Sequence, residues 1–261
     1  MCSPVVAQQI PSAESNSQVS RMPGIGHIQE TLTDYYTQPL DWNRGQWFRT
    51  GVLSALTLTS MSLDSEVRMD VQEWRDGRNH VIMQFGRWAG LGVPTVGLAA
   101  GLYTIGDLRE NTEMQATGRL LWEAFITGGL TTTLIKTLTG RHRPYLGDGA
   151  LAYSPPGLRL PYRAFPSGHS TIGWLTAGVL AKRTESVLLK SVYYTSAGII
   201  SVSRIYHDKH WLSDTLLGGF IGYGAAKFVV EREEQRKTSS GGNISVIPMV
   251  GWHRVVISVC F

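Results

Sequence analysis

Cysteine is nearly absent. Cys2 and Cys260 stand at opposite ends of the 261-residue chain, which excludes a disulfide framework and any zinc-ligand spacing. Charge is scarce too: Asp, Glu, Lys and Arg make up 17% of the residues, against about a quarter in ordinary soluble domains. No long basic run occurs, and the basic residues match no nucleic-acid module. The net charge of +4 and pI of about 9.1 therefore fit an anionic substrate or an anionic lipid surface, not nucleic acid. No HExxH pair suggests a metal centre. Long apolar runs are also missing. Only Trp88–Ile105 stays free of charge for 18 residues, and Pro94 interrupts it; a membrane span needs about 20. The mean hydropathy of −0.06 argues against deep embedding.

What the chain does have is glycine, 29 of them, and a series of shorter charge-free segments. These are Thr50–Leu63, Trp88–Ile105, Ala124–Ile135, Ser170–Ala181, Ser191–Ser203 and Thr215–Ala226. Strict alternation is absent from all six, so they read as helices, and the fold class is all-α, a bundle of about six helices. Small-residue stretches such as "ITGGLTTTLI" and "LLGGFIGYGAA" suit close helix contacts, in a dense bundle or in lipid. Residues 1–45 are polar and irregular and predict an extended or partly disordered arm. Within it "SPVVAQQIPS" resembles the end of a signal peptide without the charged and long apolar parts, and a plain tail is expected. The helical domain is expected over 46–232. The run "EREEQRK" reads as a solvated helix end, and 233–242 as a linker. Over 243–261, Val255, Ile257, Val259 and Phe261 recur at strand period, which predicts a short β-hairpin tail.

Three separated stretches carry chemistry. "KTLTGRHRP" holds Lys136, Arg141, His142 and Arg143; "PSGH" spans Pro166 to His169; "SRIYHDKHWLSD" holds Arg204, His207, His210 and Asp214. Alone, each has a plain structural meaning: a cationic helix end stopped by Pro144, a serine-capped helix start, and a surface pair. Together they offer more. Lys136, Arg143 and Arg204 supply cations, and arginine forks match phosphate oxygens. Ser167 and Gly168 open a helix whose N-terminal N–H groups suit an anion, and glycine permits close approach. His210 and Asp214, spaced i, i+4, would share a helix face. A carboxylate beside an imidazole fixes its tautomer and stabilises positive charge, which prepares a nucleophilic histidine. His169 is left as acid for the leaving oxygen and later base for water. No metal or other cofactor is needed. Arg141, His142 and His207 read as field or packing residues, and Trp211 as a packing anchor.

Lys136-x6-Arg143-Pro144, Pro166-Ser167-Gly168-His169 and Ser203-Arg204-x5-His210-x3-Asp214 resemble the tripartite signature of the type 2 phosphatidic acid phosphatase / vanadium haloperoxidase superfamily. The likeness covers about residues 85–230, and no signature position departs from the pattern. It implies a helical bundle with its site at one end. It also implies His210 as nucleophile forming a phosphohistidine, Asp214 as its partner, His169 as general acid, and Lys136, Arg143, Ser167, Gly168 and Arg204 as phosphate ligands. The expected activity is metal-independent hydrolysis of phosphomonoesters or diphosphates of lipids: phosphatidate, phosphatidylglycerophosphate or a polyprenyl diphosphate. The expected place is a bacterial cell-envelope membrane, with the site facing the periplasm. Alternatives are a soluble periplasmic acid phosphatase of broad specificity, a vanadium-dependent haloperoxidase, and a non-enzymatic envelope scaffold.

Overall fold

The computed structural model describes residues 25–75 and 77–240. Its elements are α1 (Ile25–Thr37), α2 (Arg44–Ser60), α3 (Asp64–Glu73), α4 (Gly77–Ala89), α5 (Gly92–Leu108), α6 (Thr112–Thr139), α7 (Gly168–Lys182), α8 (Val187–Tyr206) and α9 (Leu212–Ser240), joined by short 3₁₀ turns. Among the described residues no sheet forms; Arg141 and Tyr153 make one isolated antiparallel bridge. The all-α expectation holds, and each of the six charge-free segments lies on helix. The second is broken. Trp88 and Ala89 end α4, and the chain bends by 61° before α5. Pro94 is not the breaker: in the first turn of α5 it has no helical hydrogen bond to lose. The bend falls at Gly90–Leu91, where the chain presses on α7 and α8. A Cβ on Gly90 would lie 2.8 Å from Ile200 Cγ2 and 2.9 Å from His169 Cδ2.

The long helices pack through small residues. The core joins Ala99 of α5, Leu120, Leu121 and Ala124 of α6, Leu175 and Val179 of α7, and Ala226, Val229 and Val230 of α9. Each such fully buried leucine or valine contributes about 1.5–3 kcal/mol relative to exposure. The glycine stretch of α9 sets the spacing to α7. A Cβ on Gly218 would sit 2.4 Å from the Ser167 carbonyl oxygen, and one on Gly222 2.2 Å from that of Thr171. Only glycine lets the two backbones come this near.

Two boundaries differ from the sequence expectation. The arm expected to be extended over 1–45 contains helix from Ile25 to Thr37, and α2 already begins at Arg44, where Asn43 and Gln46 form a capping box. Helix α1 is held from a distance. Arg232 of α9 bonds Asp34 at 2.6 Å and Thr31 at 2.5 Å, and Tyr35 meets Phe228 edge-on at 5.1 Å. The linker expected over 233–242 is helical as far as Ser240. Its charge run is not wholly solvated: Glu233 is buried and meets Arg119 Nη2 at 2.7 Å, while Lys237 meets Glu113 at 2.9 Å. The expected hairpin over 243–261 lies outside the described residues.

Candidate active site

The topology brings the three stretches to one end of the bundle. Helices α6 and α8 deliver their C-terminal turns there, α7 and α9 their N-terminal turns. Lys136 and Arg204 thus sit in last turns, where a cation complements the helix dipole. Helix α6 stops at Gly140, in the left-handed region at φ 64°, where a Cβ would fall 2.0 Å from the Ser154 carbonyl oxygen. The loop from 141 to 167 then crosses the end of the bundle and returns at Ser167.

Ser167 is fully buried and caps α7, accepting from Ser170 N at 3.4 Å and Ser170 Oγ at 3.1 Å. Its own N–H donates to the Asp214 carbonyl at 2.8 Å, which ties the second stretch directly to the third. Lys136 Nζ donates to the carbonyls of Arg163 at 2.9 Å, Ala164 at 3.4 Å and Pro166. Burial drives its pKa down to about 7, helped by Arg143, Arg163 and Arg204 and opposed by Asp214. Arg204, 6% exposed, is likewise lowered by burial and by Arg143 and Arg87, to about 10. Arg143 Nε and Arg204 Nε and Nη1 are buried with no protein acceptor. Buried donors of this kind cost stability unless something accepts from them. A tetrahedral oxyanion among Lys136, Arg143 and Arg204 supplies both the acceptors and the opposing charge.

The histidine–aspartate pair forms, though not on one helical face as the spacing suggests. Helix α9 starts at Leu212, so His210 precedes it. Asp214 reaches back from the first turn. Its Oδ2 accepts from Trp211 N at 2.8 Å, in the manner of half a capping box, and lies 3.4 Å from His210 Nδ1. The contact is one of proximity rather than a hydrogen bond: Nδ1 of His210 is buried without a hydrogen-bond partner. Burial pushes His210 well below its ordinary pKa, reinforced by Lys136, Arg143, Arg204 and His169. Burial lowers His169 to about 3, with Arg204, Lys136 and Arg143 adding to it. Burial raises Asp214 to about 6, although Arg141 works against the rise.

Of the residues read as packing, Trp211 is 2% exposed and donates to the His142 carbonyl at 3.0 Å. His142 is held between Asp148 and Ser154, each at 2.7 Å, and His207 lies 3.3 Å from the Met83 carbonyl. Arg141 is more than packing. It is fully buried and joins Asp214 at 2.7 Å to Asp64 at 2.6 Å. Asp64, Arg163 and Arg87 were not legible as site residues. The one sequence signal of Asp64 is its helical spacing to Arg68 and Gln72, which an ordinary solvated helix also shows.

Neutral histidines beside concentrated positive charge make anion binding and protonation interdependent. A sulfate dianion placed among these cations raises the pKa of Lys136. Because burial and the neighbouring cations lower the Lys136 pKa, sulfate binding at pH 8 should be accompanied by proton uptake. Calorimetry in two buffers of different ionisation enthalpy reads this directly. Equal heats in both buffers, or undiminished uptake in Lys136→Met, would contradict the assignment.

In fold and in part of its sequence the chain is similar to PAP2 proteins. The sequence pattern of the PAP2 superfamily matches residues 118–237. The crystal structure of Aquifex aeolicus LpxE superposes with a TM-score of 0.51 at 20% identity, over 65% of this chain and 95% of that one. That of the first transmembrane PAP2 type phosphatidylglycerolphosphate phosphatase from Bacillus subtilis superposes with 0.56 at 19% identity, over 70% and 95%. At such identities the likeness is one of fold. No curated protein sequence matches the chain.

Proposed function

We propose that this protein hydrolyses phosphate monoesters or diphosphates of lipids without a metal, through a phosphohistidine on His210. The observation that carries the reading is the set of buried guanidinium nitrogens on Arg143 and Arg204 that no protein group accepts from, beside two histidines. In the reaction, Lys136, Arg143, Arg204, Ser167 and the N–H of Gly168 hold the phosphoryl oxygens. Nε2 of His210 attacks phosphorus, forming a P–N bond as the P–O bond to the lipid breaks. Asp214 stabilises the positive charge that grows on the ring. His169 gives its proton to the departing oxygen, then takes one from the water that cleaves the P–N bond and frees His210. The dianion itself prepares His169 for this: neutralising the surrounding cations raises the pKa that they depress.

A lipid substrate is supported by the surroundings. An apolar cavity of about 170 Å³ lies between α5, α7 and α8, lined by Pro94, Leu98, Gly173, Leu180, Tyr193 and Ile200 among others. Gly173 is one turn beyond His169, and Ile200 also packs at Gly90 beside that histidine. An acyl or prenyl chain fits this position and chemistry. Large apolar side chains also face outward, among them Phe48 at 73%, Val81 at 73% and Val93 at 79% exposure, which suits contact with a lipid surface. No single described helix is long and apolar enough to cross a membrane, although the bent pair α4–α5 together has the length and composition for it. The structurally similar PAP2 type phosphatase from Bacillus subtilis is a transmembrane protein. Membrane association in a cell envelope, with the site facing the periplasm, is part of the proposal.

The test is phosphate release from phosphatidate, phosphatidylglycerophosphate, a polyprenyl diphosphate and p-nitrophenyl phosphate, with EDTA present. The expected result is release from a lipid ester in preference to the soluble one. Activity abolished by EDTA would overturn the metal-free mechanism, and preference for p-nitrophenyl phosphate would overturn the lipid assignment.

A further inference from the structure

Helix α3 (Asp64–Glu73) lies outside the residues matched by the PAP2 pattern, yet it touches the third signature stretch at three heights. Asp64, Arg68 and Gln72 follow one another at i, i+4 and i+8, one stripe of the helix. Gln72 Nε2 donates to the carbonyls of Ile205 at 2.9 Å and Tyr206 at 3.3 Å. Arg68 holds Asp208 with both prongs, at 2.6 and 2.9 Å. Asp208 is one of two non-glycine residues in the described chain with positive φ, at 57°. Arg68 thus pins the loop at its strained residue, two positions before His210.

Asp64 does something different. It is fully buried, as are Arg141, Ser213 and Asp214. Its Oδ2 accepts from Arg141 Nη2 at 2.6 Å and from Ser213 Oγ at 2.7 Å, and its Oδ1 from Ser213 N at 2.8 Å. Arg141 spends its other prong on Asp214 Oδ1 at 2.7 Å, while its Nε and Nη2 donate to the Ala150 carbonyl. The guanidinium carbon lies 5.8 Å from the ring centres of both Phe165 and Trp211. One cation is therefore shared between two buried carboxylates, and only the second of them faces His210.

We propose that Asp64 is a positioning residue of the active site, the far end of a buried chain Asp64–Arg141–Asp214–His210. It fixes the guanidinium so that Asp214 presents Oδ2 to His210, and it takes up half of the Arg141 charge that Asp214 would otherwise carry alone. The role in turnover rests on the reading of His210 as nucleophile; the electrostatic link does not. The groups acting on the pair from the surrounding elements are Lys136, Arg143, Arg204, His169 and the Trp211 N–H. Burial is the main cause that keeps Asp214 basic against them, and the Asp64 charge adds to it.

Asp64→Asn keeps the shape and removes the charge. The carboxyl carbon of Asp214, recognised as the resonance lost in Asp214→Asn, is followed by NMR titration in the full-length protein. It should titrate lower in Asp64→Asn by about one unit, the size expected when one charge several ångströms away is removed at a protein-like dielectric. Phosphate release should fall about tenfold or more in kcat with KM within about twofold, because a charge-assisted contact to the nucleophile's partner is lost while the phosphate ligands stay. Arg68→Ala is the control: it should lower Tm and leave the Asp214 titration where it is. Should Asp64→Asn not fold, Arg141→Lys takes its place, since a single ammonium cannot bridge both carboxylates; the same fall in kcat and a displaced Asp214 titration are expected. An unmoved Asp214 titration in the folded variant overturns the proposal, whether or not the protein turns over any substrate. A moved titration beside a wild-type protein inactive on every ester upholds the electrostatic link and overturns the reading of His210.

Discussion

His210→Ala is expected to abolish turnover, lowering kcat/KM by at least about 10⁴-fold, the scale on which removal of a nucleophile or its base acts. Of the two histidines at the site, His210 is the one with a carboxylate on its ring: Asp214 Oδ2 is 3.4 Å from Nδ1. Its backbone N–H donates to the Arg204 carbonyl at 3.3 Å, so the side chain can be removed without freeing the loop. His169→Ala should be milder for substrates whose leaving group needs no proton, such as p-nitrophenyl phosphate, and severe for an alkyl ester. Steady-state rates on both ester types separate the two histidines. Equal losses for both variants on both substrates would contradict the division of labour.

Arg204→Ala is expected to cost about 10²–10³-fold in kcat/KM, the usual price of one preorganised donor to developing charge. The same substitution should not destabilise the fold. Arg204 is buried, two of its guanidinium nitrogens have no protein acceptor, and burial pulls its pKa down to about 10. A buried cation in that condition opposes folding, so Tm should stay level or rise. Opposite movement of activity and stability is what a group kept for binding predicts. A fall in Tm matching the fall in activity would instead make Arg204 a structural residue. The effect belongs to the apo protein: with sulfate or phosphate present the wild type should gain Tm and the variant gain little.

How far all this could be read in the sequence depended on locality. Helices α6 to α9 were visible because each holds a charge-free run without strict alternation and their ends carry local punctuation, such as Gly140 and Ser167. The eight signature residues were visible as a conjunction, although each alone had an ordinary meaning. Helix α1 was hidden because its partners, Arg232 and Phe228, lie about 200 positions away in the chain, and polar residues facing a distant helix resemble a solvated tail. The charge run near Glu233 misled for the same reason: Arg119, which accompanies it into the interior, is on another helix. Asp64 was beyond reach. Nothing local distinguishes an aspartate that starts a polar helix from one that ends buried against Arg141. The placing of His210 before α9 was missed by assuming that i, i+4 spacing implies helix; the carboxylate reaches back to it across the helix start instead.

The most direct test of the account is capture of the covalent intermediate. The full-length protein is mixed with ³²P-labelled lipid phosphate, in EDTA, and quenched in alkali within the first turnover. The account predicts label on His210, stable in base and lost in acid, and none in His210→Ala. Label that persists in His210→Ala, or that maps to another residue, would contradict it.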